Sequence, residues 1–150
     1  MPLSRNEVAD TIVLMCQRWN AADRAGWLSM FRDDVTIEDP VGSRVRRGRA
    51  AAESTWDVGF SYPEPWTMVP GLMVVCGNRA AVTFSHMSTV DGRPYWHEDI
   101  EVWELDDDRR VVRVQAYFEP PASSPDYYFE PPEEPASADR KNERPLLHRR

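Results

Sequence analysis

The sequence predicts an α+β fold in which three N-terminal helices cover one face of a curved antiparallel sheet. Two observations carry this prediction. Apolar residues recur at helical spacing through the first third of the chain, and they alternate with polar residues from Trp66 onward. Helices followed by a run of strands are typical of a sheet that is covered on one face. A curved sheet closed by helices forms a cone with one open end.

Three helices are predicted before the sheet. The first carries apolar residues at a period of 3.6: Val8, Ile12, Met15, Cys16 and Trp19. Asn20 ends this helix, and Asp23 is a suitable N-cap for a short second helix that holds Trp27, Met30 and Phe31. The third helix is predicted from Gly48 to Asp57, with alanines in its interior and Trp56 near its end.

Five strands are predicted. A brief strand from Val35 to Glu38 must end at Asp39-Pro40, because proline cannot donate a hydrogen bond to a neighbouring strand. Four longer candidates then show a period of two: residues 66–75, 79–90, 95–105 and 110–118. Turn residues such as Gly77-Asn78 connect them, which favours hairpins.

The length, charge and composition of the chain limit its class. The 150 residues suffice for about one domain with one core. We predict that this domain covers residues 1–119 and that the Pro-rich segment 120–150 is an extended or disordered tail. The net charge of −7 argues against a nucleic-acid or anionic-membrane partner.

Two features bear on where the protein resides. The apolar run Ile12 to Cys16 is too short for a signal sequence or a membrane span. Cys16 and Cys76 match no zinc or redox spacing. We therefore predict a cytoplasmic protein with two buried thiols and no membrane partner.

The 95–105 strand places a row of polar side chains on one face. Alternation puts five residues on that face: Tyr95, His97, Asp99, Glu101 and Trp103. If the face looks into the cone, Asp99 and Glu101 lie about 6.8 Å apart along the strand, and they will not both ionise easily there. His86, in phase with Phe84 and Ser88 on the neighbouring strand, would reach the same space.

The opposite register stays open at this point. A slip of one residue would leave the polar face in water and turn Trp96, Ile100 and Val102 toward the core. Asp39 likewise has a structural interpretation, since an Asp before Pro is common in turns. The basic run from Arg44 to Arg49 is interpreted as a solvated turn and helix start, or as a site for an anionic group of a substrate.

The segment ADRAGWLSMFRDDVTIEDPVGS, Ala22 to Ser43, resembles the N-terminal signature of bacterial Δ5-3-ketosteroid isomerases. These enzymes belong to the nuclear transport factor 2-like, or SnoaL-like, superfamily. The similarity runs from Asp23 to about Trp56 and resumes from Gly77 to Phe118. The resemblance implies a cone-shaped α+β fold with a deep apolar pocket, and a homodimer formed through the sheet.

The resemblance also implies roles for single residues. The isomerase's general base falls on Asp39, and the protonated acid that hydrogen-bonds the substrate oxygen falls on Glu101. The phenol beside that acid falls on Met15, whose thioether cannot donate a hydrogen bond. The tyrosine that supports the phenol falls on Trp56. The predicted substrate contacts are Met15, Trp19, Trp56, Phe84, Ser88, His97, Trp103, Val114, Ala116 and Phe118.

These observations lead to one preferred function and two alternatives. The preferred function is proton transfer through an enolate on a hydrophobic carbonyl compound such as a steroid or polyketide. Asp39 would be the base, Glu101 or Asp99 the neutral acid, and His86 a further acid or base. The alternatives are a SnoaL-like polyketide cyclase or epoxide hydrolase, and a binding module for small hydrophobic molecules without catalysis.

No cofactor is predicted for this function. The spacing of the histidines and acids indicates no bound metal either, although two histidines and two acids on neighbouring strands leave a metal site open.

Overall fold

The computed structural model describes residues 1–90 and 92–118, which form six strands and three helices. The elements in chain order are α1 (Arg5–Asn20), α2 (Arg24–Leu28), β1 (Phe31–Glu38), β2 (Arg46–Arg47), α3 (Arg49–Gly59), β3 (Val69–Cys76), β4 (Arg79–Val90), β5 (Arg93–Leu105) and β6 (Val111–Tyr117). The strands form a curved, unclosed sheet in the order β2-β1-β6-β5-β4-β3. The predicted fold class is confirmed, while the predicted tail 120–150 lies outside the described residues.

The boundary between α2 and β1 differs from the prediction. The helix ends at Leu28, and β1 already begins at Phe31, so Met30 and Phe31 are not helical. The backbone N–H of Val111 donates to the Met30 carbonyl at 2.7 Å, and Phe31 is paired with Val111. Pairing with β6 therefore extends β1 toward its N-terminal end, which local periodicity does not reveal.

One strand pair is parallel, in contrast to the fully antiparallel sheet that the sequence predicted. β1 and β6 run in the same direction, with Glu38 opposite Gln115, whereas the other pairs are antiparallel. The turn after β1 is fixed to β6 as well, because the Val41 N–H donates to the Ala116 carbonyl at 2.7 Å. The carboxyl end of β1, where Asp39 follows, is thus placed beside the end of β6.

The helices close one face of the sheet around a tryptophan-rich core. α1 packs on β3 and β4, and α3 packs on β1. The rings of Trp19, Trp27 and Trp56 contact one another, with centroids 5.1 to 5.5 Å apart. Cys16 lies in this core, but Cys76 is exposed at the end of β3, so the prediction of two buried thiols is wrong for Cys76.

The opposite face of the sheet is open and apolar. We call this surface the outer apolar face, and it is formed by six exposed side chains: Val69, Leu72, Val74, Met87, Ile100 and Tyr117. Leu72 is 70% exposed and Val74 57% exposed, which is unusual for large aliphatic residues on neighbouring positions of a strand. Among the described residues, no helix is long and apolar enough to cross a membrane.

Candidate active site

The inward face of β5 carries the acids that the alternation pattern placed there. Tyr95, His97, Asp99, Glu101 and Trp103 are all buried. Ile100, in contrast, is 39% exposed on the outer face. The register with the polar face inward is therefore the one observed, and the alternative register is wrong.

Two imidazoles and two carboxyls meet on β4 and β5. The pairing of the strands sets His86 opposite His97 and Phe84 opposite Asp99. His86 Nε2 lies 3.1 Å from Asp99 Oδ2 and 3.7 Å from Glu101 Oε1. His97 Nε2 lies 3.9 Å from the same Asp99 oxygen. Because all four side chains are buried, their charges interact with little screening by water.

Glu101 holds its proton more strongly than an exposed glutamate does. Burial raises its pKa well above the usual 4.5, and the negative charge of Asp99 raises it further, whereas His86 acts in the opposite direction. The indole N–H of Trp103 donates to Glu101 Oε2 at 2.6 Å. This bond orients the carboxyl and leaves Oε1 as the oxygen that can donate a proton.

His86 is oriented from both sides of its ring. Nδ1 lies 2.8 Å from the carbonyl oxygen of Thr67, and Nε2 faces Asp99. Burial lowers the pKa of His86, but the neighbouring acids Asp99 and Glu101 and the hydrogen bonds to Asp99 and Thr67 together outweigh this effect and raise it to about 9. The ring is therefore favoured as an imidazolium at neutral pH.

Asp39 stands at the end of β1, half-buried, in a turn that hydrogen bonds hold in place. The Gly42 N–H donates to Glu38 Oε1 at 3.0 Å, and Gln115 Nε2 donates to Glu38 Oε2 at 3.2 Å.

Burial raises the pKa of Asp39 from 3.8 to about 6, although the nearby positive charge of Arg46 lowers it. The charge of Asp39 in turn raises the pKa of Glu101, so the two acids share one electrostatic environment.

Arg46 departs from the interpretation of the basic run as solvated. Its guanidinium donates to the Ala51 carbonyl at 2.9 Å, to Ser54 Oγ at 2.5 Å and to Thr55 Oγ1 at 2.8 Å. These bonds attach β2 to α3 and hold a positive charge near Asp39. Arg44, Arg47 and Arg49 are exposed, as the sequence predicted.

The predicted substrate contacts fall into two groups. Met15, Trp19, Trp56 and Val114 belong to the hydrophobic core, with Met15 fully buried. A second group includes His97 of the polar cluster and residues near the cluster, of which Phe84 and Trp103 also belong to the core: Phe84, Ser88, His97, Trp103, Ala116 and Phe118. The Phe84 ring lies 5.9 Å from that of His86, and Phe118 is stacked on His97 at 5.5 Å. Contact of either group with a substrate stays a prediction.

The loop before β3 contributes groups that the sequence did not indicate. The Trp66 ring packs edge-on against His97 at 5.3 Å, and the next residue, Thr67, supplies the carbonyl bonded to His86. Ser88 Oγ donates to the Glu64 carbonyl at 2.5 Å. A backbone carbonyl has no signature in the residue type, so only the fold could reveal its role.

Three of the buried side chains have donor types that suit a metal. One ligand atom each from His86, His97 and Asp99 lie within 4.8 Å of one another. Two imidazoles and one carboxylate are ligands that several first-row transition metals accept. The 3.1 Å contact between His86 and Asp99 already pairs two of these atoms directly.

Comparison with known proteins identifies the family. The SnoaL-like domain matches residues 12–114, which is more than half of the chain. The chain belongs to the SnoaL-like family. A "Steroid Delta-isomerase" from Nocardioides simplex is 29% identical over 92 residues, covering 61% of this chain and 73% of the relative. The resemblance that the sequence carried is thus confirmed.

Solved structures share the fold at low sequence identity. One of them is SalBIII, an epoxide hydrolase/cyclase-like enzyme of pyran ring formation in the polyether salinomycin. Its TM-score is 0.72 at 21% identity, and the match covers 77% of this chain and 93% of the SalBIII chain. A Mycobacterium tuberculosis protein in complex with estradiol-17β-hemisuccinate has a TM-score of 0.65 at 18% identity, covering 75% and 94%. A computationally designed 17-OHP binder scores 0.67 at 17% identity, covering 75% and 91%.

Proposed function

We propose that this SnoaL-like protein transfers a proton between two carbons of a hydrophobic carbonyl compound through an enolate, as a steroid Δ-isomerase does. The observation that carries the proposal is that the pKa values of the two acids Asp39 and Glu101 are raised to different extents. The pKa of Asp39 is raised to about 6, just below neutral pH, while that of Glu101 lies well above its usual value. The reaction needs one ionised base and one protonated acid at the same pH.

Each acid has a defined part in this reaction. The Asp39 carboxylate removes a proton from the carbon beside the carbonyl, and the electrons of the broken C–H bond move into the enolate. The Glu101 carboxyl donates a hydrogen bond from Oε1 to the enolate oxygen, where negative charge develops. Asp39 then returns the proton to the second carbon. No redox cofactor is required, because the substrate is neither oxidised nor reduced.

The relatives support a steroid-sized hydrophobic substrate. One relative is named a steroid Δ-isomerase, one neighbour was solved with a steroid derivative, and another was designed to bind 17-OHP. Met15 is the difference that limits the rate, because it replaces the phenol donor of the isomerases. Loss of one such donor typically lowers the rate by about 10²–10³.

Two other functions remain candidates on specific observations. A polyketide cyclase or epoxide hydrolase is favoured by the similarity to SalBIII and by the second acid, Asp99, beside Glu101. A binding module without catalysis is favoured by Met15, which leaves the isomerase donor pair incomplete.

The isomerase proposal is tested by mixing the purified protein with 5-androstene-3,17-dione and recording the absorbance of the conjugated enone. We expect conversion by the wild type and by Asp34→Asn, an exposed acid on β1, the strand that Asp39 follows. Asp39→Asn should lose the activity, because an amide cannot accept the proton. Equal rates for Asp39→Asn and the wild type would exclude Asp39 as the base.

We also propose that the protein is a cytoplasmic homodimer. The outer apolar face supports dimerisation through the sheet, since large exposed apolar patches commonly mark protein interfaces. Two free thiols, at Cys16 and Cys76, suit a reducing compartment.

A further inference from the structure

We propose that His86, His97 and Asp99 form a binding site for a divalent first-row transition-metal ion such as Zn²⁺. The inference goes beyond the proposed function, which uses Asp39 and Glu101 and gives these three side chains no part. It also departs from the sequence analysis, in which the spacing indicated no bound metal. The three residues meet because β4 and β5 pair, with His86 opposite His97.

The distances between the donor atoms suit one ion. One ligand atom from each of the three residues lies within 4.8 Å of the other two. His86 Nε2 and His97 Nε2 lie 3.1 and 3.9 Å from the same atom, Asp99 Oδ2. In a tetrahedral zinc site, bonds of about 2.1 Å place neighbouring ligand atoms about 3.4 Å apart. The two contacts to Asp99 lie on either side of that spacing, so modest rotation of the side chains gathers the atoms around an ion.

The His86 ring is oriented in the way that is usual for a metal ligand. Nδ1 lies 2.8 Å from the Thr67 carbonyl oxygen, which can only accept, so Nδ1 donates and Nε2 is the ring atom left for an ion. Histidines that bind metals almost always donate the hydrogen of their second ring nitrogen to a carbonyl, a carboxylate or water. An ion between His86 Nε2 and Asp99 Oδ2 takes the place of the proton that otherwise joins these two atoms.

Asp99 has an oxygen that its neighbours leave unused. The residue is 3% exposed, and its Oδ1 is buried with no hydrogen-bond partner within the described part of the chain. Buried polar atoms without a partner are rare in proteins, and a bound ion is one of the explanations for them. This observation is independent of the distances between the ligand atoms. A cation held by the Asp99 carboxylate supplies the partner that Oδ1 lacks.

The surroundings favour a cation and limit the access of water. Glu101 Oε1 lies 3.7 Å from His86 Nε2, so a second acid lies beside the site. The Trp66 ring packs edge-on against His97 at 5.3 Å, and Phe118 is stacked on His97 at 5.5 Å. An apolar shell of this kind controls solvent access to a metal site, and burial strengthens the attraction between a cation and its acidic ligand.

The number of ligands indicates what kind of site this is. Three protein ligands leave a position for water or for a substrate oxygen, which is the pattern of catalytic zinc sites, whereas structural sites use four. A metal ion with an open position polarises a carbonyl oxygen or lowers the pKa of a bound water. The ligand class that the site would accept beside the metal is therefore a neutral oxygen donor.

Titration of the chelator-treated, full-length protein with Zn²⁺ tests the site without any substrate. Isothermal titration calorimetry should show one Zn²⁺ per chain. Nitrogen NMR of the histidine-labelled protein should show a shift of the Nε2 signals of both His86 and His97, whereas the third histidine, His148, should keep its signal. No binding of Zn²⁺, or binding that leaves the signal of His86 or of His97 unchanged, would overturn the proposal.

Two variants remove one ligand each and keep the shape of the side chain. His97→Phe retains an aromatic ring beside Trp66 and Phe118, and Asp99→Asn is isosteric. Each should weaken Zn²⁺ binding by at least about 10–100-fold, the loss that is typical when only the outer partner of a ligand is removed.

The matched control is Cys76→Ser/His148→Ala, which removes metal donors outside the site and should bind Zn²⁺ as the wild type does. Unchanged affinity in both ligand variants, or loss of binding in the control, would contradict the site. The NMR result on the wild type decides the question even where a variant does not fold.

Binding and catalysis are measured separately. A protein that binds Zn²⁺ at these residues but does not isomerise 5-androstene-3,17-dione retains the metal site and loses only the proposed function. An active isomerase that binds no Zn²⁺ would retain the proposed function and lose the metal site.

Discussion

At the scale of single residues, Asp39 is held where its charge reduces stability. Because burial raises its pKa from 3.8 to about 6, the folded state keeps a proton that the unfolded state has already released. Stability therefore falls as pH rises through the window from about 4 to 6, and stays lower above it. We expect Asp39→Asn to unfold at a higher temperature than the wild type at neutral pH.

Circular dichroism melts of the two proteins check this expectation. The difference should shrink at pH values below the pKa of Asp39, where the wild-type carboxyl is protonated as well. An Asp39→Asn variant that is less stable than the wild type at neutral pH would show that the carboxylate contributes to the fold instead of weakening it.

The same two acids predict the pH dependence of the reaction. The rate constant kcat/KM should rise as Asp39 ionises, near pH 6, and fall at a higher pH as Glu101 loses its proton. In Glu101→Gln, the amide cannot ionise, so the fall at higher pH should disappear while the rise near pH 6 remains. A fall that persists in this variant would show that another group causes it.

The residues of the site differ in how far the sequence could reveal them. Asp39 and Glu101 were assigned by resemblance, and strict alternation along one strand placed Asp99 on the same face as Glu101. That this face points inward is shown by the structure, because alternation alone left both registers open. The Thr67 carbonyl was not foreseeable, because its role depends on where a loop passes His86. Arg46 was hidden among neighbouring arginines, and only its bonds to α3 distinguish it.

At the scale of elements, Asn20 joins the end of α1 to the start of β3. Its Nδ2 donates to the Met68 carbonyl at 2.7 Å, and the Met68 N–H donates to Asn20 Oδ1 at 2.9 Å. Asn20→Ala would leave both backbone groups of buried Met68 without these partners. We expect a loss of about 1–3 kcal/mol in the free energy of unfolding.

Urea denaturation measures this loss, with Gln17→Ala as the control because Gln17 is exposed on the same helix. A change below about 0.5 kcal/mol for both variants would mean that water replaces the two hydrogen bonds at no cost.

The elements themselves were predictable where a period persists. α1 and the long strands β4 and β5 repeat their pattern over many residues, and they were found close to their predicted bounds. β2 spans two residues, too few to show a period. The parallel pairing of β1 with β6 joins distant parts of the chain, so no local pattern could indicate it.

At the scale of the whole molecule, the outer apolar face predicts self-association. We expect the wild type to sediment with the mass of two chains, and Leu72→Glu/Val74→Glu to sediment as a monomer. Both side chains are already exposed, so charging them should not disturb the fold. Val13→Glu, exposed on α1, should leave the dimer intact. A monomeric wild type at micromolar concentration would contradict the dimer.

The general architecture could be predicted because the resemblance covers two separated blocks, one in the helices and one in the strands. The apolar outer face could not be predicted in the same way. The exposure of Leu72 and Val74 depends on a bulge in β3, which shifts the register of β3 against β4.

The proposed proton transfer requires an ionised Asp39 and a protonated Glu101 at the same pH, and a carbon NMR titration of the two carboxyl groups measures this most directly. We predict that the Asp39 signal titrates near pH 6 and that Glu101 is still protonated at neutral pH. Two carboxyls that are both fully ionised at pH values below the expected Asp39 transition would contradict the central claim.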